Sequence, residues 1–172
     1  MNAPLHSETL RRPVPAACLD GLKAIFGDRL SLAAAVREHH GRDESPYPPM
    51  LPDAVVFAHS TEEVAQVARL CNAHRVPLIP YGAGSSLEGH LLAVQGGINL
   101  DLSQMNQLLA VNAEDLAATV KAGVTRKQLN EEIRSTGLFF PIDPGADASL
   151  GGWRRLGLRA PTPSGTGRCA RT

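Results

Sequence analysis

The sequence lacks a surplus of charge of either sign, since 17 Lys and Arg stand against 17 Asp and Glu in 172 residues. It therefore gives no compositional sign of a nucleic acid partner or of binding to an anionic membrane. The three cysteines, Cys18, Cys71 and Cys169, form no CxxC pair and no Cys/His cluster, so neither a disulfide framework nor a metal site is expected. No apolar run approaches the ~18 residues of a transmembrane helix, and the amino terminus lacks the apolar stretch of a secretory signal. These absences predict a cytoplasmic protein without a transmembrane segment, and they leave a peripheral membrane contact open.

The residues that are present suffice for one ordinary core, since 43% of them are apolar. Helical spacing of apolar residues over 18–39, broken at Gly27, predicts two short helices, and the proline-rich stretch 41–53 predicts an extended segment. From Ala54 onward, short apolar strands alternate with amphipathic helices, and the fold class is α+β. The predicted strands lie at 54–58, 76–80, 98–102, 108–111, 118–122 and 139–141, and the predicted helices begin after Ser60 and Thr125. The first strand–helix–strand unit predicts a parallel pair, and residues 143–152 are predicted to be a loop.

The most informative stretch is the glycine loop, PYGAGSSLEGH from Pro80 to His90, which follows a predicted strand directly. Its glycines allow successive backbone amides to converge on an anion, and its two serines add hydroxyl donors. No lysine follows the glycines, which excludes a P-loop, and Leu87 occupies the third glycine position of the dinucleotide fingerprint, which argues against Rossmann binding. A phosphate cradle and an empty tight turn both fit these eleven residues.

Three separated motifs occur together in one order: LIPYGAGSSLEGH, then QGGINLDLSQMNQLLAVNAEDLAATVKAGVT, then FFPIDPGADASLGG. Their order resembles the PCMH-type FAD-binding domain of the vanillyl-alcohol-oxidase family of FAD-linked oxidases. Within that family the resemblance is closest to cytochrome-linked D-lactate dehydrogenases and to the FAD subunit of glycolate oxidase. It runs from about residue 36 to residue 152. It implies the first α/β subdomain and the start of the second, so that the chain is an N-terminal, truncated part of the fold.

The resemblance implies that FAD is the cofactor and assigns two groups of residues to it. In the first group, which Pro80 begins, the residues that wrap the pyrophosphate are Tyr81, Gly82, Ala83, Gly84, Ser85 and Ser86, and Gly89 and His90 continue toward the flavin. The second group, beside the flavin and its phosphates, consists of Pro144, Gly145, Ala146, Asp147, Leu150, Gly151 and Gly152. A covalent flavin link through His90 is not indicated.

The activity implied by the resemblance is oxidation of a D-2-hydroxy acid such as D-lactate to the 2-oxo acid, with hydride transfer to FAD. A cytochrome, a quinone or a flavoprotein would then accept the electrons. Catalytic residues and metal ligands are expected in a later domain, so none is expected here, and the chain alone would be inactive. Two alternatives stay open: a non-catalytic module that binds a nucleotide or a partner, and another FAD-linked oxidase such as an aldonolactone oxidase.

The resemblance ends after Gly152, and the remaining residues, WRRLGLRAPTPSGTGRCART, contain five arginines and no acid. We expect three regions: 1–50 with the N-terminal helices and extended approach, 51–152 as the partial FAD-binding domain, and 153–172 as an out-of-frame, disordered tail. A basic tail that binds an acidic partner is the alternative for the last region.

Three further residues, His39, His40 and Asp43, could suggest a metal site. One adjacent histidine pair and one acid are weak evidence for it, and we expect solvated residues at a helix end. Cys71 falls on the apolar face of a predicted helix and is expected in the core.

Overall fold

The structure, a computed structural model, describes residues 11–141 and 145–156. Its first part is a four-stranded sheet with helices, and its second part is a two-stranded hairpin with two short helices. The strands are β1 (Leu30–Ser31), β2 (Ala54–Phe57), β3 (Leu78–Tyr81), β4 (Ile98–Asp101), β5 (Leu108–Asn112) and β6 (Ala117–Val120). The α-helices are α1 (Ala16–Phe26), α2 (Ala34–His40), α3 (Thr61–His74), α4 (Arg126–Ile133) and α5 (Leu150–Leu156). Single 3₁₀ turns follow α1 and α4. The predicted mixture of helices and strands is confirmed.

The four-stranded sheet has the strand order β1-β2-β4-β3. Strand β4 pairs in parallel with β2 on one side and with β3 on the other, while β1 runs antiparallel to β2. Strands β2 and β3 are thus parallel as expected, but they are not neighbours, because the fully buried β4 lies between them. Parallel strands end at one edge of a sheet, so Phe57, Tyr81 and Asp101 share the edge from which the glycine loop departs.

Helices α1 and α3 contribute to the larger hydrophobic core with the sheet. Cys18 and Cys71 are both free thiols in this core, and neither is more than 2% exposed. Burial, with Cys18 beside it, raises the pKa of the Cys71 thiol to about 12, so both thiols stay neutral. The predicted core position of Cys71 is confirmed.

The second part of the fold has its own small core, formed by Val124, Leu129 and Ile133 against the hairpin. The Thr125 hydroxyl caps α4 by accepting a hydrogen bond from the Gln128 amide at 3.3 Å, as the sequence predicts. The 3₁₀ turn that follows α4 is capped at its carboxyl end by Gly137, which has φ 75°.

Two predicted elements near this core are wrong. Residues 139–141 form no strand, because the Asn130 side chain takes both hydrogen bonds of the Phe140 backbone, at 2.6 Å and 3.4 Å. Leu150, Gly151 and Gly152 are the first turn of α5 and not part of a loop. Helix propensity disfavours two consecutive glycines, but a Cβ at Gly151 would lie 2.7 Å from the Ala122 carbonyl oxygen. Close packing therefore explains the glycine there.

Some predictions fall outside the described residues. Pro144 is one of them, and so are Cys169 and residues 157–172 of the expected tail. Helix α5 runs across the expected boundary at 152/153, which stays a prediction. Within the two described ranges, no helix is both long enough and apolar enough to cross a membrane.

Candidate functional site

The glycine loop adopts a conformation that depends on its glycines. Gly84 and Gly89 both have φ 75°, a left-handed backbone that residues with a Cβ rarely adopt. A Cβ at Gly84 would also lie 2.5 Å from the Tyr81 hydroxyl oxygen. Within residues 11–141 and 145–156, the backbone amides from Gly82 to Ser86 have no acceptor. Successive free amides on a glycine-rich turn form a concave donor set for an anion.

The second predicted segment meets the glycine loop directly. A Cβ at Gly82 would overlap the Ser149 hydroxyl, and Ser149 is only 4% exposed. The segment is held in place by backbone hydrogen bonds from Leu150 to Val124 at 2.8 Å and from Gly151 to Ala122 at 3.0 Å. The structure thus brings the two predicted groups together, although they are more than 50 residues apart in the sequence.

The end of the glycine loop is tied to the proline-rich segment that follows α2. The Glu44 amide donates to the Ser86 carbonyl at 2.9 Å, and the Ser86 hydroxyl lies 3.0 Å from Nδ1 of the exposed His90. Asp147 accepts from the Lys127 amide at 3.0 Å, at the start of α4. Gly145 and Ala146 lie in the same second segment, and Pro80 and Ala83 are exposed at the start of the loop.

Two residues of this site were missed by sequence reasoning. Ser149 belongs to the motif DPGADASLGG, and only the close approach of Gly82 shows that its hydroxyl faces the first loop. Asp101 ends β4, and its position in LDLSQ signals nothing beyond a turn. The pairing of Asp101 with Tyr81 in β3 places Asp101 below the glycine loop.

Below the loop lies a buried pair, His40 and Asp101, whose side chains are each 5% exposed. Nε2 of His40 is 2.8 Å from Asp101 Oδ2, and Nδ1 is 2.8 Å from the Val36 carbonyl. The Val36 carbonyl oxygen can only accept, so Nδ1 donates to it, while Nε2 lies within hydrogen-bonding distance of the Asp101 carboxyl group. Asp101 also accepts from the Ser103 amide at 2.6 Å.

The expectation that His40 is a solvated residue at a helix end is therefore wrong. His40 packs under the sheet edge, where it contacts the Asp101 carboxyl group, and the sequence could not show this contact. Asp43 accepts from the Ser45 amide at 3.1 Å in a tight turn. Among the described residues, no group of three or more His, Cys, Asp or Glu side chains could hold a metal ion.

The donors of this site suit a phosphate or pyrophosphate group. The glycine loop contributes amides and hydroxyls, and no lysine or arginine lies between Pro80 and His90. A pyrophosphate is costly to bury without hydrogen bond donors, and a row of free amides on a loop supplies them. The geometry thus favours an anion cradle over an empty turn.

Comparison with known proteins gives matches over most of the chain. A profile of the family described as FAD binding domain matches residues 52–158. The chain is 47% identical, over 149 residues, to a probable mitochondrial D-lactate dehydrogenase of Danio rerio, covering 86% of this chain and 29% of that protein. It is 40% identical, over 143 residues, to the mitochondrial cytochrome D-lactate dehydrogenase of Arabidopsis thaliana, covering 82% of this chain and 25% of that protein. The chain therefore spans less than a third of the length of these relatives.

Solved structures give the same fold. The chain superposes on alkyldihydroxyacetonephosphate synthase with a TM-score of 0.74 and 26% identity, covering 87% of this chain and 34% of the other. It superposes on p-cresol methylhydroxylase with a TM-score of 0.61, covering 75% of this chain and 27% of the other. That pair is 24% identical, so it bears on the fold alone. The expected PCMH-type architecture is confirmed.

Proposed function

The chain belongs to the FAD binding domain family, and on that premise we propose that it forms the pyrophosphate-binding part of the flavin site of a D-2-hydroxy-acid dehydrogenase. The observation that carries the proposal is the meeting of two loops at Gly82 and Ser149. FAD is the cofactor of this family, and its pyrophosphate is the kind of anion that the free loop amides can hold.

The residues of the two loops have distinct parts in this proposal. The amides from Gly82 to Ser86 would hold the pyrophosphate as hydrogen-bond donors, and Gly84 and Gly89 give the loop its curvature. Gly145, Ala146, Asp147, Leu150, Gly151 and Gly152 line the side nearer the flavin, together with Ser149. Pro144 completes this assignment but lies outside the described residues.

The reaction that we propose for the complete protein is oxidation of D-lactate or a related D-2-hydroxy acid to the 2-oxo acid. FAD, when bound, would supply the redox chemistry of this oxidation as the hydride acceptor. The residues of this chain bind and orient the cofactor, and none of them is proposed as a catalytic residue. D-lactate as the substrate and a cytochrome as the acceptor rest on the names of the relatives. A quinone or flavoprotein acceptor stays an expectation from the family resemblance. A cytoplasmic location also stays a prediction.

The proposal is tested with the purified chain. We expect FAD to bind weakly, to be displaced by ADP because both carry a pyrophosphate, and to give no D-lactate-dependent reduction of a dye. Quenching of flavin fluorescence measures the binding, and dye absorbance measures the turnover. Robust turnover would contradict the assignment of catalysis to residues outside this chain. A stoichiometric complex with a nucleotide that lacks flavin, formed in preference to FAD, would instead support a non-catalytic binding module.

A further inference from the structure

The buried pair of His40 and Asp101 is not part of the two loops, and its burial costs free energy of hydration. Burying an imidazole ring and a carboxyl group is unfavourable unless hydrogen bonds satisfy both groups. Here they do, since His40 uses both ring nitrogens and Asp101 uses both oxygens. Such a pair contributes little net stability compared with apolar residues, which directs attention to what it holds in place.

Tyr81 is the first side chain that the pair holds. Its ring lies 4.3 Å from the His40 ring, centroid to centroid, and Tyr81 is the register partner of Asp101 in the adjacent strand. The Tyr81 hydroxyl contacts Nε2 of His39 at 3.2 Å. Because that hydroxyl also fills the space where Gly84 would carry a Cβ, the Tyr81 side chain forms the floor of the glycine loop.

The far end of the glycine loop depends on the same helix. Asn99 of β4, which is fully buried, donates to the His40 carbonyl at 3.4 Å and fixes the end of α2. Four residues later the Glu44 amide binds the Ser86 carbonyl. The pair therefore lies between two supports of the loop, one below Gly84 and one beside Ser86.

We propose that His40 and Asp101 are positioning residues, which hold Tyr81 and the end of α2 so that the glycine loop keeps its pyrophosphate-binding shape. The inference rests on the proposed function, since FAD is taken as the ligand of the loop. The pair acts on FAD binding through its hydrogen-bonded geometry and not through a contact with FAD.

The groups that face the His40 ring are Asp101 from β4, Tyr81 from β3, His39 from its own helix, and the uncharged Phe57 from β2. Burial and the Asp101 charge raise the pKa of the Tyr81 phenol above its ordinary value of 10.0, so Tyr81 stays neutral.

Two variants at one position separate geometry from charge. In Asp101→Asn, the side-chain amide donates to Nε2 of a neutral His40, and its oxygen still accepts from the Ser103 amide. The hydrogen bonds survive without the charges. Asp101→Ala removes them and leaves His40 without its partner. The matched control is Glu63→Ala, which breaks the ion pair with Arg29, of 2.7 Å, away from the glycine loop.

The experiment measures residue-resolved hydrogen exchange in the FAD-free chain and FAD affinity by fluorescence quenching. The reporters are the amides of Glu44 and Leu92, which bind Ser86 and Gly89, with the Leu129 amide of α4 as the remote reference. In Asp101→Ala we expect both loop reporters to exchange roughly ten- to a hundredfold faster, as expected for lost hydrogen bonds to charged groups, while Leu129 changes little. FAD affinity should fall by a similar factor.

Asp101→Asn should stay within about threefold of the wild type in both measurements. The proposal is overturned if Asp101→Ala accelerates all three amides equally, if Glu63→Ala loosens the loop as much, or if Asp101→Asn behaves like Asp101→Ala. If the wild type binds no FAD, the proposed function fails for this chain, while the exchange rates still decide the positioning role.

Discussion

Gly84 illustrates at the scale of one residue how a missing side chain serves this site. Its backbone is left-handed, and the Tyr81 hydroxyl occupies the space beside its Cα. The two constraints are separable, because Gly137 has the same φ of 75° but no atom within 4 Å of a Cβ built on it. Gly137 is thus a control for the cost of placing a Cβ on a left-handed backbone without a steric contact.

Replacing Gly84 or Gly137 by Ala should cost each protein ~1 kcal/mol of unfolding free energy, since left-handed backbone is unfavourable for any residue with a Cβ. Only Gly84→Ala should also lower FAD affinity, about tenfold, because its methyl group displaces Tyr81 from beneath the loop. Urea unfolding and fluorescence quenching measure the two effects. An equal loss of FAD affinity in Gly137→Ala would show that the contact with Tyr81 has no special role.

Helix α3 shows at the scale of an element which signals are local. The sequence predicts its start from Ser60 and the acids that follow, and the Ser60 hydroxyl accepts from the Glu63 amide at 3.2 Å. Glu63 has a second partner that no local pattern reveals. Arg29, from the turn after α1, binds both of its carboxylate oxygens at 2.7 Å. This bidentate ion pair thus holds α3 to the turn that follows α1.

This ion pair predicts a sensitivity to acid. Hydrogen bonding to Arg29 lowers the pKa of Glu63 from 4.5 to about 2. In acid, the unfolded chain binds a proton at Glu63 before the folded one does, so the stability from the pair is present above pH 4.5 and is lost as the pH falls toward 2. Glu63→Gln should lack this loss, and the difference should reach ~2 kcal/mol.

Urea unfolding of the wild type and Glu63→Gln across that pH range checks the acid prediction. Glu131→Gln is the matched control, because its pair with Arg134 spans 3.7 Å and is largely exposed. If Glu131→Gln changes the acid dependence as much as Glu63→Gln does, the effect does not come from the ion pair of Glu63 with Arg29.

At the scale of the whole molecule, the candidate site lies between the part with the four-stranded sheet and the part with the hairpin. The glycine loop leaves the four-stranded sheet, while Ser149 belongs to the part built around the hairpin and α4. Their contact at Gly82 leaves no room for a methyl group. A ligand that touches both loops would therefore stabilise the junction of the two parts.

A double-mutant cycle tests this contact. Gly82→Ala should lower FAD affinity at least about tenfold, because the new methyl group pushes Ser149 away. Ser149→Gly removes the side chain that the methyl group meets, so the double variant should recover most of the affinity lost in Gly82→Ala. Simple addition of the two single effects in fluorescence titrations would mean that the two loops do not meet in solution.

The sequence by itself determined the local features, because they depend on neighbours in the chain. Capping residues, periodic apolar positions and the glycine loop predicted α3, α4 and the hairpin, and three ordered motifs predicted the family. Local propensity failed where a distant group decided. Asn130 took the hydrogen bonds expected of a strand at Phe140, and packing against Ala122 favoured a helix through Gly151.

Only the tertiary structure decided how the site is assembled. It inserted β4 between two strands expected to pair, and in doing so it placed Asp101 beside Tyr81 and over His40. It also brought Ser149 against Gly82. These contacts join residues tens of positions apart, and they depend on the order of strands in the sheet and on which buried charges find partners. No periodicity or local motif encodes those two properties, whereas the shape of the glycine loop follows from the glycines themselves.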